Sequence, residues 1–181
     1  MVAQQRKTPR DLNSYWRMEA ANVLLVPGVA LALGCPRHLL EAVALGSAIL
    51  PAAGFLIVGA AYWRGVDRRV KFGDRAGATR SLELADRGEV PLLVASAVAV
   101  ALALAAWSVH GWSRSVVAAT VLTVLALLEY VNYYHRQLQH FDNLADLRRL
   151  ITGRGLKRSH MARDLRTSRG ATQSAGKRIA D

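Results

Sequence analysis

The sequence predicts an all-α, polytopic membrane protein: a four-transmembrane-helix bundle with both termini cytoplasmic, plus short cytoplasmic interfacial helices. Three observations predict it. Apolar residues make up 52% of the 181, against 20% charged, and they are gathered into long blocks. Four of these blocks reach the roughly 20 residues that a helix needs to cross a hydrocarbon layer about 30 Å thick. The 24 Lys and Arg divide as four up to Arg17, seven between the second and third blocks, eleven after the fourth and two elsewhere. With four crossings, nearly all of that charge falls on one side, and short loops that retain Lys and Arg stay cytoplasmic. The expected location is a cell membrane, specifically a bacterial plasma (inner) membrane.

A net charge of +11 raises nucleic acid as a partner. Its concentration in short segments flanking apolar blocks argues for anionic membrane lipid instead. The single cysteine, Cys35, excludes an intrachain disulfide and a Cys-rich metal site. It is expected as a small packing residue beside an outer turn. LALGC around it resembles a lipoprotein processing box, but Ala32 and Pro36 depart from that pattern, and no signal peptide is expected.

Residues 1–14 are polar and basic, with nothing that requires order. The first span covers 15–34, with Asn13 or Ser14 as its cap and Tyr15 and Trp16 at the level of an interfacial aromatic belt. Pro27 and Gly28 invite a kink in its middle. Glu19 and Asn22, three apart, share a face, and Glu19 is expected to pair with Arg17 or another cytoplasmic Arg. After an outer turn at 35–38, the second span covers 39–63. Ala44, Ala48 and Ala52 recur every fourth residue, and with Gly54 and Gly59 they give a smooth ridge for close helix packing.

A cytoplasmic loop is expected over 64–89. Its first half, RGVDRRVKFGDR, is basic; its second can form a short helix capped by Asp74, with Ala78, Leu82 and Ala85 on one face and Gly88 as the stop. The third span covers 90–109, with Pro91 in its first turn, and reads as a packing helix. A second outer turn at 110–114 leads to the fourth span, 115–134, with Trp107 and Trp112 in the outer aromatic belt.

The fourth span passes directly into EYVNYYHRQLQHFDN. At 100° per residue, Asn132, Tyr133, Arg136, His140 and Asn143 fall within an arc of about 100°, while Tyr130, Tyr134, Leu138 and Phe141 form another face. The later stripe Leu144, Leu147 and Ile151 would point to the polar side of a continuous helix. A break at Asp142 and Asn143 is therefore expected, with Asn143 capping a surface helix that ends before Gly153 and carries Arg148 and Arg149. The extension and its surface helix cover 135–152. From 153 to 181 the chain is basic, with few large apolar residues, and is expected to be flexible; Leu156, Met161 and Leu165 allow at most a weak amphipathic turn.

Glu129, Asn132, Tyr133, Arg136 and His140 form the candidate polar ligand or docking cluster. A carboxylate and an imidazole at one interface could exchange a proton with a lipid headgroup or a quinone. Interfacial helix ends also carry Tyr, Asn, His and Arg for solvation or docking alone, and no residue is assigned as catalytic. His135 and His140 are five apart, about 140° around a helix, and cannot chelate a metal together. No metal or cofactor is expected.

Arg64, Arg68, Arg69, Lys71, Arg148 and Arg149 are the expected contacts for lipid headgroups or a partner. The leading expectation is a non-enzymatic assembly or accessory subunit, homo-oligomeric or part of a larger membrane complex, docking anionic lipid or a cytosolic partner with its basic cytoplasmic face. An oligomeric channel or transporter is the first alternative. A membrane enzyme or lipid- or quinone-binding protein, with its site at the cytoplasmic end of the fourth span, is the second.

Overall fold

A computed structural model describes residues 9–136, 138 and 158–180. These residues form five helices: α1 Pro9–Gly34, α2 Leu39–Phe72, α3 Arg75–His110, α4 Arg114–Tyr134 and α5 His160–Ala180. Among the described residues there is no strand, only an isolated backbone bridge between Arg136 and Arg158. The helices α1 to α4 are each long and apolar enough to cross a membrane. The chain divides into two compact units, Met1–Ala126 and Leu127–Asp181.

In the first unit α2 is the central element, packed against both α1 and α3. Half of its most apolar window is buried, against about a fifth for α1 and α3. Small residues make this possible. Ala44, Ala48 and Ala52 are fully buried, and the same face continues through Phe55, Gly59 and Tyr62. The matching stripe of α3 is Ser96, Ala99, Ala103 and Ala106, and that of α4 begins Val116, Ala119, Leu122 and Ala126. Lipid tails are as apolar as a leucine side chain, so such helices gain by close van der Waals contact rather than by escaping solvent. The hydroxyls within these stripes are satisfied locally: Ser96 donates to the Leu92 carbonyl at 2.8 Å and Thr123 to that of Ala119 at 2.8 Å.

Two short turns close one end of the bundle. Gly34 ends α1 where an added Cβ would lie 2.8 Å from Leu45 and 3.6 Å from both Ala118 and Ser115, so α1, α2 and α4 approach closely there. Cys35 follows with φ of 42°, a left-handed conformation that is uncommon outside glycine. The thiol is exposed and donates to the Ala32 carbonyl at 3.4 Å. Cys35 therefore ends a helix rather than filling the core. Glu41 ties the turns together: it accepts from the Arg37 and His38 backbone N–H groups at 2.8 and 3.3 Å and is also bonded to the Ser113 and Ser115 side chains. The His38 and His110 rings stack at 4.5 Å, and Trp107 and Trp112 lie 5.4 Å apart.

At the opposite end of α2, the aromatic residues expected at one interface meet. Tyr15 packs edge-on to Trp63 at 5.1 Å, and the Arg64 guanidinium lies 5.5 Å from the centre of the Trp16 ring. Arg17, expected beside Glu19, also lies over Trp16, at 5.7 Å. Glu19 itself is buried.

The segment expected as a loop is helical almost throughout. α2 continues to Phe72, and α3 starts at Arg75 and runs past Gly88 without stopping. At about 1.5 Å per residue, the 34 residues of α2 span about 51 Å, well beyond the hydrocarbon thickness of about 30 Å. The excess pairs with the start of α3 as an antiparallel extension. Gly73, at φ of 69°, reverses the chain, and its N–H bonds to the Arg69 carbonyl at 3.1 Å.

Asp74 caps α3 as its residue type suggests, accepting from Gly77 N at 2.9 Å, while its second oxygen pairs with Arg68 at 3.0 Å. A cap of this kind contributes about 1 kcal/mol. Ala78 and Ala85 are buried with Ser81, and Leu82 is only half-buried. Pro91 lies inside α3 rather than in its first turn. The carbonyl it leaves without a donor is that of Arg87, four residues earlier in the polar segment, where water can serve it.

Helix α1 starts at Pro9, so Asn13 and Ser14 lie inside it and are not its caps. A proline fits the first helical position because its missing N–H would have no intrahelical partner there. Helix α5 occupies most of the segment for which composition gives no reason to expect order. The expected break at Asp142 and Asn143, and the surface helix with Arg148 and Arg149, lie outside the described residues.

Candidate functional site

The candidate cluster belongs to the second unit, at the C-terminal end of α4. Tyr133 and Tyr134 are buried and Asn132 is 9% exposed, so the polar end of the helix is covered. Such groups need partners, because a buried polar atom left without one costs about 1–3 kcal/mol. The Asn132 amide finds two: its nitrogen donates to Glu129 at 3.5 Å, and its oxygen accepts from the Leu138 backbone N–H at 2.9 Å. Glu129 is also bonded by the Tyr133 side chain, one turn further along the helix.

The terminal carbonyls of α4 are satisfied by the chain that returns to it. The His135 and Arg136 N–H groups both bond to the Val131 carbonyl, at 3.1 and 2.8 Å, and close the helix. Ser159 then serves two helices at once. Its hydroxyl donates to the Tyr133 carbonyl and accepts from Ala162 N at 3.0 Å, and its own N–H reaches the His135 carbonyl at 3.3 Å. It is thus the N-cap of α5 and the fastener that holds α5 to the end of α4. Met161 and Leu165, the stripe that follows, are buried. Tyr130 stacks with Tyr134 at 5.4 Å and meets His135 edge-on at 5.0 Å.

No family model, curated protein or solved structure matches this chain.

Glu129, Asn132 and Tyr133 are therefore brought together, with their polar atoms directed at one another and at the backbone. Arg136 joins through its backbone, bridged to Arg158, while its side chain is exposed. His140 lies outside the described residues, so the pairing of a carboxylate with an imidazole has no geometry here. Among the described residues, no three His, Cys, Asp or Glu side chains gather as metal ligands.

Of the cationic contacts, Arg64 stacks on Trp16 and is otherwise exposed, Arg68 pairs with Asp74, Arg69 is exposed, and Lys71 pairs with Asp67 at 2.8 Å. In the packing ridge, an added Cβ on Gly54 would run into the Leu92 side chain, and Gly59 is buried. Ser159 is the residue that reading the sequence missed. Its signal was a serine two positions before Met161, with Leu165 one turn later, the pattern of a capped amphipathic helix.

Proposed function

We propose that this chain is a non-enzymatic membrane subunit, inserted with both termini in the cytoplasm of a bacterial cell. In this reading it packs its spans through small-residue helix faces and holds anionic lipid or a cytosolic partner with its basic face. The observation that carries the reading is the paired extension of α2 and α3. It is a packed helical element bearing seven Lys and Arg against four Asp and Glu, from Arg64 to Arg87. Although Arg68 and Lys71 are paired with Asp74 and Asp67, it carries Arg64 and Arg69 at exposed positions on a fixed surface. The polar groups at the end of α4 support the same reading, because Asn132 and Ser159 spend their hydrogen bonds on holding helix ends together.

The test uses full-length protein in nanodiscs with spin-labelled phosphatidylglycerol or phosphatidylcholine, scoring the motionally restricted fraction of each. A cation near a membrane surface contributes about 1 kcal/mol toward anionic lipid, so R64E/R69E should lower the preference for phosphatidylglycerol at least about fivefold. R148E/R149E is expected to act in the same direction, and E129Q/H140Q to leave the preference unchanged. The opposite pattern, with loss in E129Q/H140Q alone, would favour a lipid- or quinone-binding site at the end of α4.

A further inference from the structure

Between α1 and α4, within the first unit, runs a groove of about 840 Å³. Its rims are aliphatic: Leu25, Val29 and Leu33 on α1, and Val117, Val121 and Leu125 on α4. Leu25, Leu33 and Val121 are each more than half exposed, whereas Ala30 and Leu122 beneath them are buried. Trp112 and Arg114 stand at the end next to the short turns. From Arg114 to Leu125 the groove follows α4 for about 16 Å at 1.5 Å per residue, close to half of a hydrocarbon layer of about 30 Å. It is one leaflet deep.

We propose that this groove binds one membrane phospholipid, with an acyl chain laid between α1 and α4 and the phosphate at Arg114. Two features select that occupant. Arg114 is exposed and has no ion pair among the described residues, although Ser113 and Ser115 on either side of it are bonded to Glu41. That carboxylate is already engaged by two backbone N–H groups and two serine side chains, which leaves the guanidinium to an outside anion. A phosphate matches a guanidinium fork better than any neutral headgroup does.

The second feature is the shape of the rims. A helix of another copy would need small residues to come close, and Leu and Val rims hold it off while leaving room for a hydrocarbon chain. The volume lies in the range of sites that enclose small ligands, about 300–1,000 Å³. This site is separate from the basic extension, which lies at the other end of α2.

Native mass spectrometry of the full-length protein, purified with dioleoyl phosphatidylglycerol and released from mild detergent, tests the proposal. The expected spectrum shows one phospholipid retained per chain. V121W, which places a large side chain in the groove at an exposed position, should lower retention about tenfold without changing the melting temperature of delipidated protein. R114Q should erase the preference for phosphatidylglycerol over dioleoylglycerol, which carries the same chains but no phosphate, an expected difference of about tenfold for a charge-assisted contact. R64E/R69E should retain the lipid as wild type does, so that failure of the basic-face reading is distinguishable from failure here. Retention that is indifferent to both V121W and R114Q would overturn the proposal. So would a lipid-free dimer that V121W converts to monomer, since a second copy would then fill the groove.

Discussion

Ser159→Ala is expected to release α5 from the end of α4. The substitution removes the cap of α5 and leaves the Tyr133 carbonyl without the hydroxyl that serves it, in a position where Ser159 itself is 4% exposed. Losing the cap costs about 1 kcal/mol, and stranding the carbonyl adds about 1–2 more. A loss of about 2–3 kcal/mol corresponds to local opening that is about 30- to 150-fold more frequent. Hydrogen exchange at the amides of 162–166 measures this directly.

Asn132→Leu should act in the same direction, since the Leu138 N–H then loses its acceptor and Glu129 its amide partner. Glu129→Gln should leave exchange near wild type, because a glutamine oxygen still accepts from Asn132. If Ser159→Ala exchanges as slowly as wild type, Ser159 does not fasten α5.

The second large effect is expected at Gly65. A Cβ there would lie 2.6 Å from the Ser81 hydroxyl and 3.2 Å from the Ala78 Cα, where α2 packs against α3 in the extension. The hydroxyl can rotate away, but the Ala78 backbone cannot. Rotating the hydroxyl gives up its bond to the Ala78 carbonyl at 2.7 Å, so Gly65→Ala should already destabilise and Gly65→Leu more severely, at the upper end of the roughly 1–3 kcal/mol that overpacking costs. The expected readout is a lower melting temperature together with faster exchange over 65–85. Gly46 supplies the control: it is exposed, with nothing within 4 Å of an added Cβ, and Gly46→Leu should melt as wild type does.

The four long helices were legible because their apolar blocks exceed what a soluble domain of this size would hold. The ridge of Ala44, Ala48 and Ala52 was legible because small residues four apart have few uses other than close approach. The second half of the extension was legible as well, from Asp74 as a cap and Ala78 and Ala85 on one face, but its first half, 64–72, was not. The residues of that first half are charged and lack a strong apolar period, and its helicity is supported by pairings that a hydrophobic pattern does not report, such as Asp67 with Lys71 and Arg68 with Asp74.

Gly88 read as a stop because glycine is a common terminator. Here the chain simply continues in helical geometry, and a glycine inside a helix costs only about 1 kcal/mol. The cluster after the fourth span was legible as a list of residue types, but its purpose lay in long-range contacts. Nothing near Tyr133 in sequence announces that its carbonyl will meet a serine 26 residues later.

The continuity of α2 has a mechanical consequence. Pro51 interrupts the internal hydrogen bonding of α2 and is where it can bend, and beyond it the 21 residues up to Phe72 carry the apolar stretch into the paired extension as one rod about 32 Å long. Placed across a bilayer, it would change its lean when the hydrocarbon becomes thinner or thicker, and a change of about 10° in lean swings the far end by about 6 Å. The charged tip around Gly73 would thereby convert lipid thickness into displacement, like the pointer of a gauge.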